Sequence, residues 1–389
     1  MTGNLPILLY LIGTLLVALA VSFGITPAVK RFAQKIGAID VPKDSRRMHK
    51  VPIPRLGGLA IFFGFIVSIL IFGHITLPVR GMLLGSVIIV ALGVIDDIMP
   101  LRAGLKFVVQ IAAALVAVYH GNLVDTISNP NIFSAQPYLH LGVLAVPLTV
   151  IWIVAITNSV NLIDGLDGLA VGVSAISSVT MLVVAFLVSE GDIAVLMAAL
   201  AGACLGFLPY NKNPAKIFMG DTGATFLGFV LAVVSIQGLF KFYAILSFAV
   251  PFLILGLPIF DTSFAFIRRV ASGKNPMSPD RSHVHHRLID MGFSQKQAVA
   301  ILYIISAVLG LSAVVLTSSG EIKAMLFLLT LCVAGGIAIR VYLNGNSHLN
   351  HNGHGQTPGD KDSPSAPGAE NQSPPVSPEP TDSKDDGNE

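Results

Sequence analysis

Apolar residues in this chain fall in long runs broken by short polar stretches, and the length of the runs sets the first reading. A helix rises about 1.5 Å per residue, so roughly 17–25 apolar residues cross the hydrocarbon core of a bilayer. Eleven runs meet or approach that length: 5–27, 56–76, 80–96, 103–120, 141–160, 165–188, 192–210, 222–239, 242–267, 298–318 and 321–343. The third and fourth are short, as a tilted or partly enclosed helix would be. The expected fold class is all-α, a polytopic membrane bundle of about eleven transmembrane helices.

The basic residues give these runs a direction. Lys and Arg collect in cytoplasmic loops. The stretch Ala28–Arg55 holds eight of them, Arg268–Gln297 holds six, and the third and seventh connections hold two each: Arg102 with Lys106, and Lys212 with Lys216. The odd-numbered connections thus carry 18 basic residues and the even-numbered ones three: Arg80, Lys241 and Lys323. That alternation fits eleven spans, an external N-terminus and a cytoplasmic tail. No basic residue precedes Lys30. A cleavable signal peptide would open on positive charge, so the first run reads as a retained span.

Composition agrees. The 389 residues are 53% apolar and 12% charged, against about 25% charged in a soluble domain. The formal charge of +2 is uneven: from Asn344 onward eight acidic residues face two basic ones, which leaves +8 on the body. This defines a membrane domain, 1–343, and a polar tail, 344–389, too poor in apolar surface to offset its ordering entropy. His348, His351 and His354 in the tail make a weak metal-tract pattern beside the plainer reading of a solvated tail. Cys204 and Cys332 sit inside apolar runs and read as small core residues.

Ionisable groups in such a chain are costly and mark function. Asp96 and Asp97 end the third run in GVIDD, Asp164 and Asp167 lie in NSVNLIDGLDGLA, and Asp221 opens the eighth run in FMGDTGA. All five fall on the expected cytoplasmic face. One interfacial carboxylate is commonly a helix cap, but five on one face, beside Asn161 and several glycines, suggest a site. Asp164 and Asp167 are spaced to share one face of a helical turn. Asp221 sits at a helix start, where backbone N–H groups favour anions. Carboxylates with phosphate affinity and no thiolate suit magnesium, a hard cation.

Two basic loops supply the complement. The first reads RRMHKVPIPRLGG, with Arg46, Arg47, His49, Lys50 and Arg55. The second reads DRSHVHHRL, with Arg281, His283, His285, His286 and Arg287. Arg binds phosphate oxygens bidentately and Lys acts as a point charge. The H-x-H-H cluster has a zinc reading, but its basic flanks fit diphosphate binding or proton transfer better. Asp261, in LPIFDTSFAFIRR, has two readings, lining the site or pairing with a neighbouring helix.

The phrases PRLGG, GVIDD, NLIDGLDGLA, FMGDTGA and DRSHVHHRL, in this order, resemble the polyprenyl-phosphate N-acetylhexosamine-1-phosphate transferases over about residues 1–300. H-x-H-H-R-L and the segment Asp44–His49 look like the bacterial branch that uses UDP-N-acetylglucosamine, of the type that initiates teichoic acid linkage units. The resemblance implies a membrane helix bundle with a cytoplasmic cleft. It implies transfer of N-acetylglucosamine-1-phosphate from UDP-N-acetylglucosamine to undecaprenyl phosphate, with release of UMP. The cofactor implied is Mg2+, with Mn2+ as substitute. Asp221 resembles the metal ligand, and Asp96 and Asp97 resemble the paired carboxylates, with Asp97 activating the lipid phosphate. Asn161, Asp164 and Asp167 resemble nucleotide-sugar and metal-supporting residues. Lys50 and Arg55 match positions used for the nucleotide, Lys106 the lysine after the Asp pair, and His285 and His286 the diphosphate-facing histidines. The tail is outside the pattern.

The partners expected are the two substrates and membrane lipid, with no nucleic acid and with a homodimer as an assembly to test. Direct attack by the lipid phosphate and a two-step route through a phospho-aspartate are both open. Two rivals stand beside this reading. One is the related transferase that takes UDP-N-acetylmuramoyl-pentapeptide. The other is a secondary transporter, disfavoured by carboxylates at span ends and by the lack of an internal repeat.

Overall fold

The computed structural model describes residues 5–42, 51–128, 138–238, 246–273 and 283–319, which lie within one compact unit, Met1–Leu331. The last expected span, 321–343, and the tail lie outside the described residues, as do Lys50 and Arg281. The first eight apolar runs each become a helix: α1 (Leu5–Lys35), α2 (Gly58–Phe72), α3 (Leu77–Ile98), α4 (Ala103–Tyr119), α5 (Ala145–Leu162), α6 (Leu169–Leu187), α7 (Gly191–Asn211) and α8 (Gly220–Gly238). The tenth becomes α12 (Gln295–Ser319). Among the described residues, seven of these helices are long and apolar enough to cross a membrane, and α2 and α4 are shorter apolar helices.

The chain departs from expectation in three places. The helix α1 runs past its expected end at residue 27, because Val29 and Ala33, four apart, continue a buried stripe beneath Lys30, Arg31 and Lys35. The ninth run is two helices, α9 (Leu246–Ile254) and α10 (Gly256–Ala271), parted at Leu255, which sits at φ −96° and ψ 16°. Pro258 has no N–H to bond to the carbonyl of Ile254, so one continuous ladder cannot form there. The histidine segment contains a short helix, α11 (Val284–Asp290).

At the centre of the bundle stand α7 and α8, apolar nearly all round and buried along most of their length. Around them α1 and α6 pack on α7, while α3 and α5 pack on α8. Many of the buried hydroxyls bond to carbonyls, as a medium without water favours. Thr157 Oγ1 donates to its own helix at Ile153 O, and Ser22 Oγ of α1 donates across to Ala203 O of α7 at 2.8 Å. The start of α8 is approached closely on two sides. A Cβ on Gly58 of α2 would lie 2.1 Å from Gly223 N, and one on Gly93 of α3 would lie 2.4 Å from Thr222 Cα. Side chains there would push α2 and α3 away from the start of α8, and so part Asp96 and Asp97 from Asp221.

Short pairings stitch the loops at this end. A two-stranded sheet joins β1 (Ile39–Asp40) to β2 (Ile53–Pro54), with Ile39 opposite Pro54. Beyond β2 the chain pairs with the α7–α8 loop: Phe218 N donates to Pro54 O, Gly57 N to Phe218 O and Gly58 N to Met219 O. Leu56 between them is fully buried at φ +73°, a conformation costing about 1–3 kcal/mol for such a side chain. Its burial holds Arg55 outward. At the opposite end β3 (Thr126–Ser128) pairs with β4 (Tyr138–His140), and a 3-10 turn at Gly142–Leu144 leads into α5.

Candidate active site

The site is organised around the N-terminus of α8, whose first N–H groups have no partners within the helix. Asp97, from the end of α3, supplies them. One carboxylate oxygen accepts Asp221 N at 3.0 Å, and the other accepts Thr222 N at 3.1 Å and Thr222 Oγ1 at 2.6 Å. Asp97 is therefore a helix cap delivered from another helix. Gly220 makes room for it: its φ is +72°, and a Cβ there would lie 2.3 Å from Asp97 Oδ2. So anchored, Asp221 turns its carboxylate to Lys106, with Nζ donating to Oδ2 at 2.8 Å. The same ammonium bonds Asp96, which also accepts Leu101 N at 2.7 Å. Lys106 thus lies as a cation between two carboxylates.

Above Asp221 opens a polar cavity of about 520 Å³, lined by Arg55, Asn161, Asp164, Asp167, Asp221 and His286 among others. Arg55 pairs with Asp40 at 3.4 Å on its rim. Among the described residues no group donates to the Asp164 side chain. Burial, reinforced by the negative charges of Asp221 and Asp97, pushes its carboxyl up to about 7, against the opposing pull of Arg55. Asp164 thus stands between its two protonation states near neutral pH. Asp167 is tied instead to the α7–α8 loop, accepting Asn213 Nδ2 and Ala215 N at 3.0 Å each. Asn213 also donates to Gln295 Oε1 at 2.7 Å, drawing the start of α12 to the cavity.

His286 borders a second space, an apolar groove of about 1330 Å³ between α4, α5 and α10. The two spaces share Asn161, Gly165 and His286. His285 packs on Gly165, where a Cβ would lie 2.3 Å from its Nε2. Burial, with His286 beside it, holds the His285 imidazole down at about 4, so it is neutral at physiological pH. The rings of His283 and His285 lie nearly parallel, 5.7 Å between centroids, and those of His285 and His286 are 4.2 Å apart. The first pair is stacked and the second tilted by 44°, whereas a zinc site needs nitrogens converging on one point. Asp261 does not line the polar cavity; it meets His283 Nδ1 at 3.0 Å.

The structure thus gathers Arg55, Asn161, Asp164, Asp167, Asp221 and His286 around one cavity. It sets Asp96, Asp97 and Lys106 behind Asp221, and His283 and His285 along the apolar groove. Sequence reasoning missed Asp40, Asn211, Asn213, Phe218 and Gln295, which also line the cavity. Phe218 had one signal, its place beside Asp221 in FMGD.

Among the described residues no three His, Cys, Asp or Glu side chains are placed to cage a metal. Magnesium does not require a cage, since it is held by one or two carboxylates together with substrate phosphates and water. The donor chemistry fits it: Asp221 faces the cavity, and the ammonium between Asp96 and Asp221 shows that the carboxylates there are matched to positive charge.

A helical membrane bundle with a carboxylate- and base-lined cavity opening into an apolar groove has the frame of a membrane phosphotransferase. Residues 79–239 match the model of glycosyl transferase family 4. The chain is 45% identical over 298 residues to a probable undecaprenyl-phosphate N-acetylglucosaminyl 1-phosphate transferase of Bacillus subtilis, covering 76% of this chain and 82% of that one. It is 34% identical over 320 residues to a decaprenyl-phosphate N-acetylglucosaminephosphotransferase of Mycobacterium tuberculosis, covering 74% and 78%. It is also 33% identical over 287 residues to a phospho-N-acetylmuramoyl-pentapeptide-transferase of Clostridium beijerinckii, covering 69% and 85%. The chain belongs to glycosyl transferase family 4, and with that the transporter reading falls away.

Proposed function

We propose that this chain transfers N-acetylglucosamine-1-phosphate from UDP-N-acetylglucosamine to undecaprenyl phosphate and releases UMP, the first membrane step toward a teichoic acid or related cell-wall polysaccharide. The observation that carries this reading is the junction of a polar cavity with an apolar groove at Asn161, Gly165 and His286. A nucleotide-sugar needs the first, a polyprenyl chain needs the second, and their phosphates must meet where the two join. The alternation of Lys and Arg supports a cytoplasmic position for this end of the bundle.

The acceptor is already an ionised phosphate, so no base is needed to make it a nucleophile. One of its oxygens attacks the β-phosphorus of the donor, the bond from that phosphorus to the bridging oxygen breaks, and UMP leaves with the electron pair. Both Asp97 oxygens are engaged by α8, and Asp97 does not line the cavity. This favours direct attack over a phospho-aspartate, and makes the role of Asp97 that of holding Asp221. Arg55 and His286, which both line the cavity, would meet donor oxygens. Lys50 and Arg281 would add positive charge from the two basic loops. Phe218, which lines the same cavity, offers a flat apolar face of the kind a nucleobase stacks on. Asp221 would hold Mg2+, or Mn2+ in its place, and the ion supplies neutralisation of charge developing on the phosphates.

The groove assignment has its own test. Ala155 lines the apolar groove away from the polar cavity. Ala155→Trp should raise the KM for undecaprenyl phosphate while leaving UDP-N-acetylglucosamine binding unchanged. An unchanged acceptor KM would place the lipid elsewhere.

A further inference from the structure

Asp261 lies in α10, does not line the polar cavity and is 3% exposed. A carboxylate so enclosed is costly unless its oxygens are satisfied. Each oxygen has one partner: Oδ1 accepts Val284 N at 2.7 Å, and Oδ2 faces His283 Nδ1 at 3.0 Å. An ionised carboxylate can only accept, so His283 carries its proton on Nδ1. Its ring lies parallel to that of His285, which is pressed between Gly165 and His286. An unbroken chain of contacts therefore runs from Asp261 through His283 and His285 to His286, the histidine that borders both the cavity and the groove. Packing alone does not call for a charge in α10, since an apolar residue of similar volume would fill the space without a desolvation cost.

We propose that Asp261 is a positioning residue for the transfer reaction: it fixes the tautomer and ring plane of His283, and through the stacked His285 it sets the orientation of His286 at the junction of the two substrates. This rests on the transferase reading above. Asp261 touches neither substrate. Its effect passes through the histidine segment, much as an outer carboxylate orients a working imidazole elsewhere.

The test uses Asp261→Asn, His283→Ala and the double variant in purified full-length protein. The asparagine keeps an oxygen for Val284 N but presents an NH2 to His283, which can meet it only with its proton moved to Nε2. The expected result is a fall in kcat/KM for UDP-N-acetylglucosamine of roughly tenfold or more in Asp261→Asn, with the thermal midpoint within about 3 °C of the parent. The double variant should be no less active than His283→Ala, because both changes break one chain. Parental activity in Asp261→Asn overturns the proposal. So does a loss that multiplies with that of His283→Ala, or one matched by a collapse of the thermal midpoint. If the parent protein makes no lipid product at all, the transferase reading fails and this inference falls with it. A parent that works beside an Asp261→Asn variant that works equally well removes this inference alone.

Discussion

Replacing Asp97 separates two roles that a family motif cannot distinguish. As a cap, it serves three donors: Asp221 N, Thr222 N and Thr222 Oγ1. Thr222 is fully buried, so water cannot replace the carboxylate there. An unsatisfied buried donor costs about 1–3 kcal/mol and a lost helix cap about 0.5–2, which puts Asp97→Ala at about 2–4 kcal/mol. That corresponds to a fall of roughly 2–6 °C in the unfolding midpoint for a chain of this size. Asp97→Asn keeps one oxygen for the two Thr222 donors and loses the bond to Asp221 N, so it should cost about half as much. With the start of α8 displaced, Asp221 leaves its place in the alanine variant and turnover falls by orders of magnitude. The asparagine variant should keep about a tenth of parental turnover, the equivalent of about 1.4 kcal/mol at the barrier. The assay pairs thermal unfolding in detergent with UMP release. If Asp97→Asn and Asp97→Ala are equally inactive while both melt like the parent, Asp97 performs chemistry and the capping account is wrong.

Asp221→Asn should fold normally and lose activity by orders of magnitude, with no recovery at saturating magnesium; full recovery would assign the metal to another aspartate. Asp164, held at about 7, binds more protons in the folded chain than in the unfolded one between about pH 4 and 7. Its contribution to metal-free stability is therefore fully present below the ordinary carboxylate range and is lost as pH rises toward 7. A cation beside it favours ionisation, so magnesium affinity should climb through that window and level off above it, and the climb should be shallower in Asp164→Asn. Topology is checked by labelling: a cysteine at Ser128 should react in intact cells and one at Ser278 should not, and the reverse pattern would sink the cytoplasmic assignment.

Most helices were legible because a bilayer imposes a length, and run length is a property of the sequence alone. The break at Leu255 was not, although Pro251, Gly256 and Pro258 mark it, because apolarity continues straight through them. The five aspartates were found by their cost in an apolar chain. Their division of labour was not legible, since capping and metal binding use the same side chain and differ only in what comes near. Asp97 meets Thr222 across 125 residues, and Asp167 meets Asn213 across 46. Asn211, Asn213, Phe218 and Gln295 carry no charge, so they become part of a site only once the α7–α8 loop and the start of α12 converge on the aspartates.

The central claim is transfer of a sugar together with one phosphate. Purified protein in detergent, given UDP-N-acetylglucosamine, undecaprenyl phosphate and magnesium, should form a lipid diphosphate bearing N-acetylglucosamine and release UMP in equal amount. Both products should require both substrates. Release of UDP in place of UMP, with the sugar alone on the lipid phosphate, would contradict attack at the β-phosphorus, and absence of any lipid product would contradict the transferase itself.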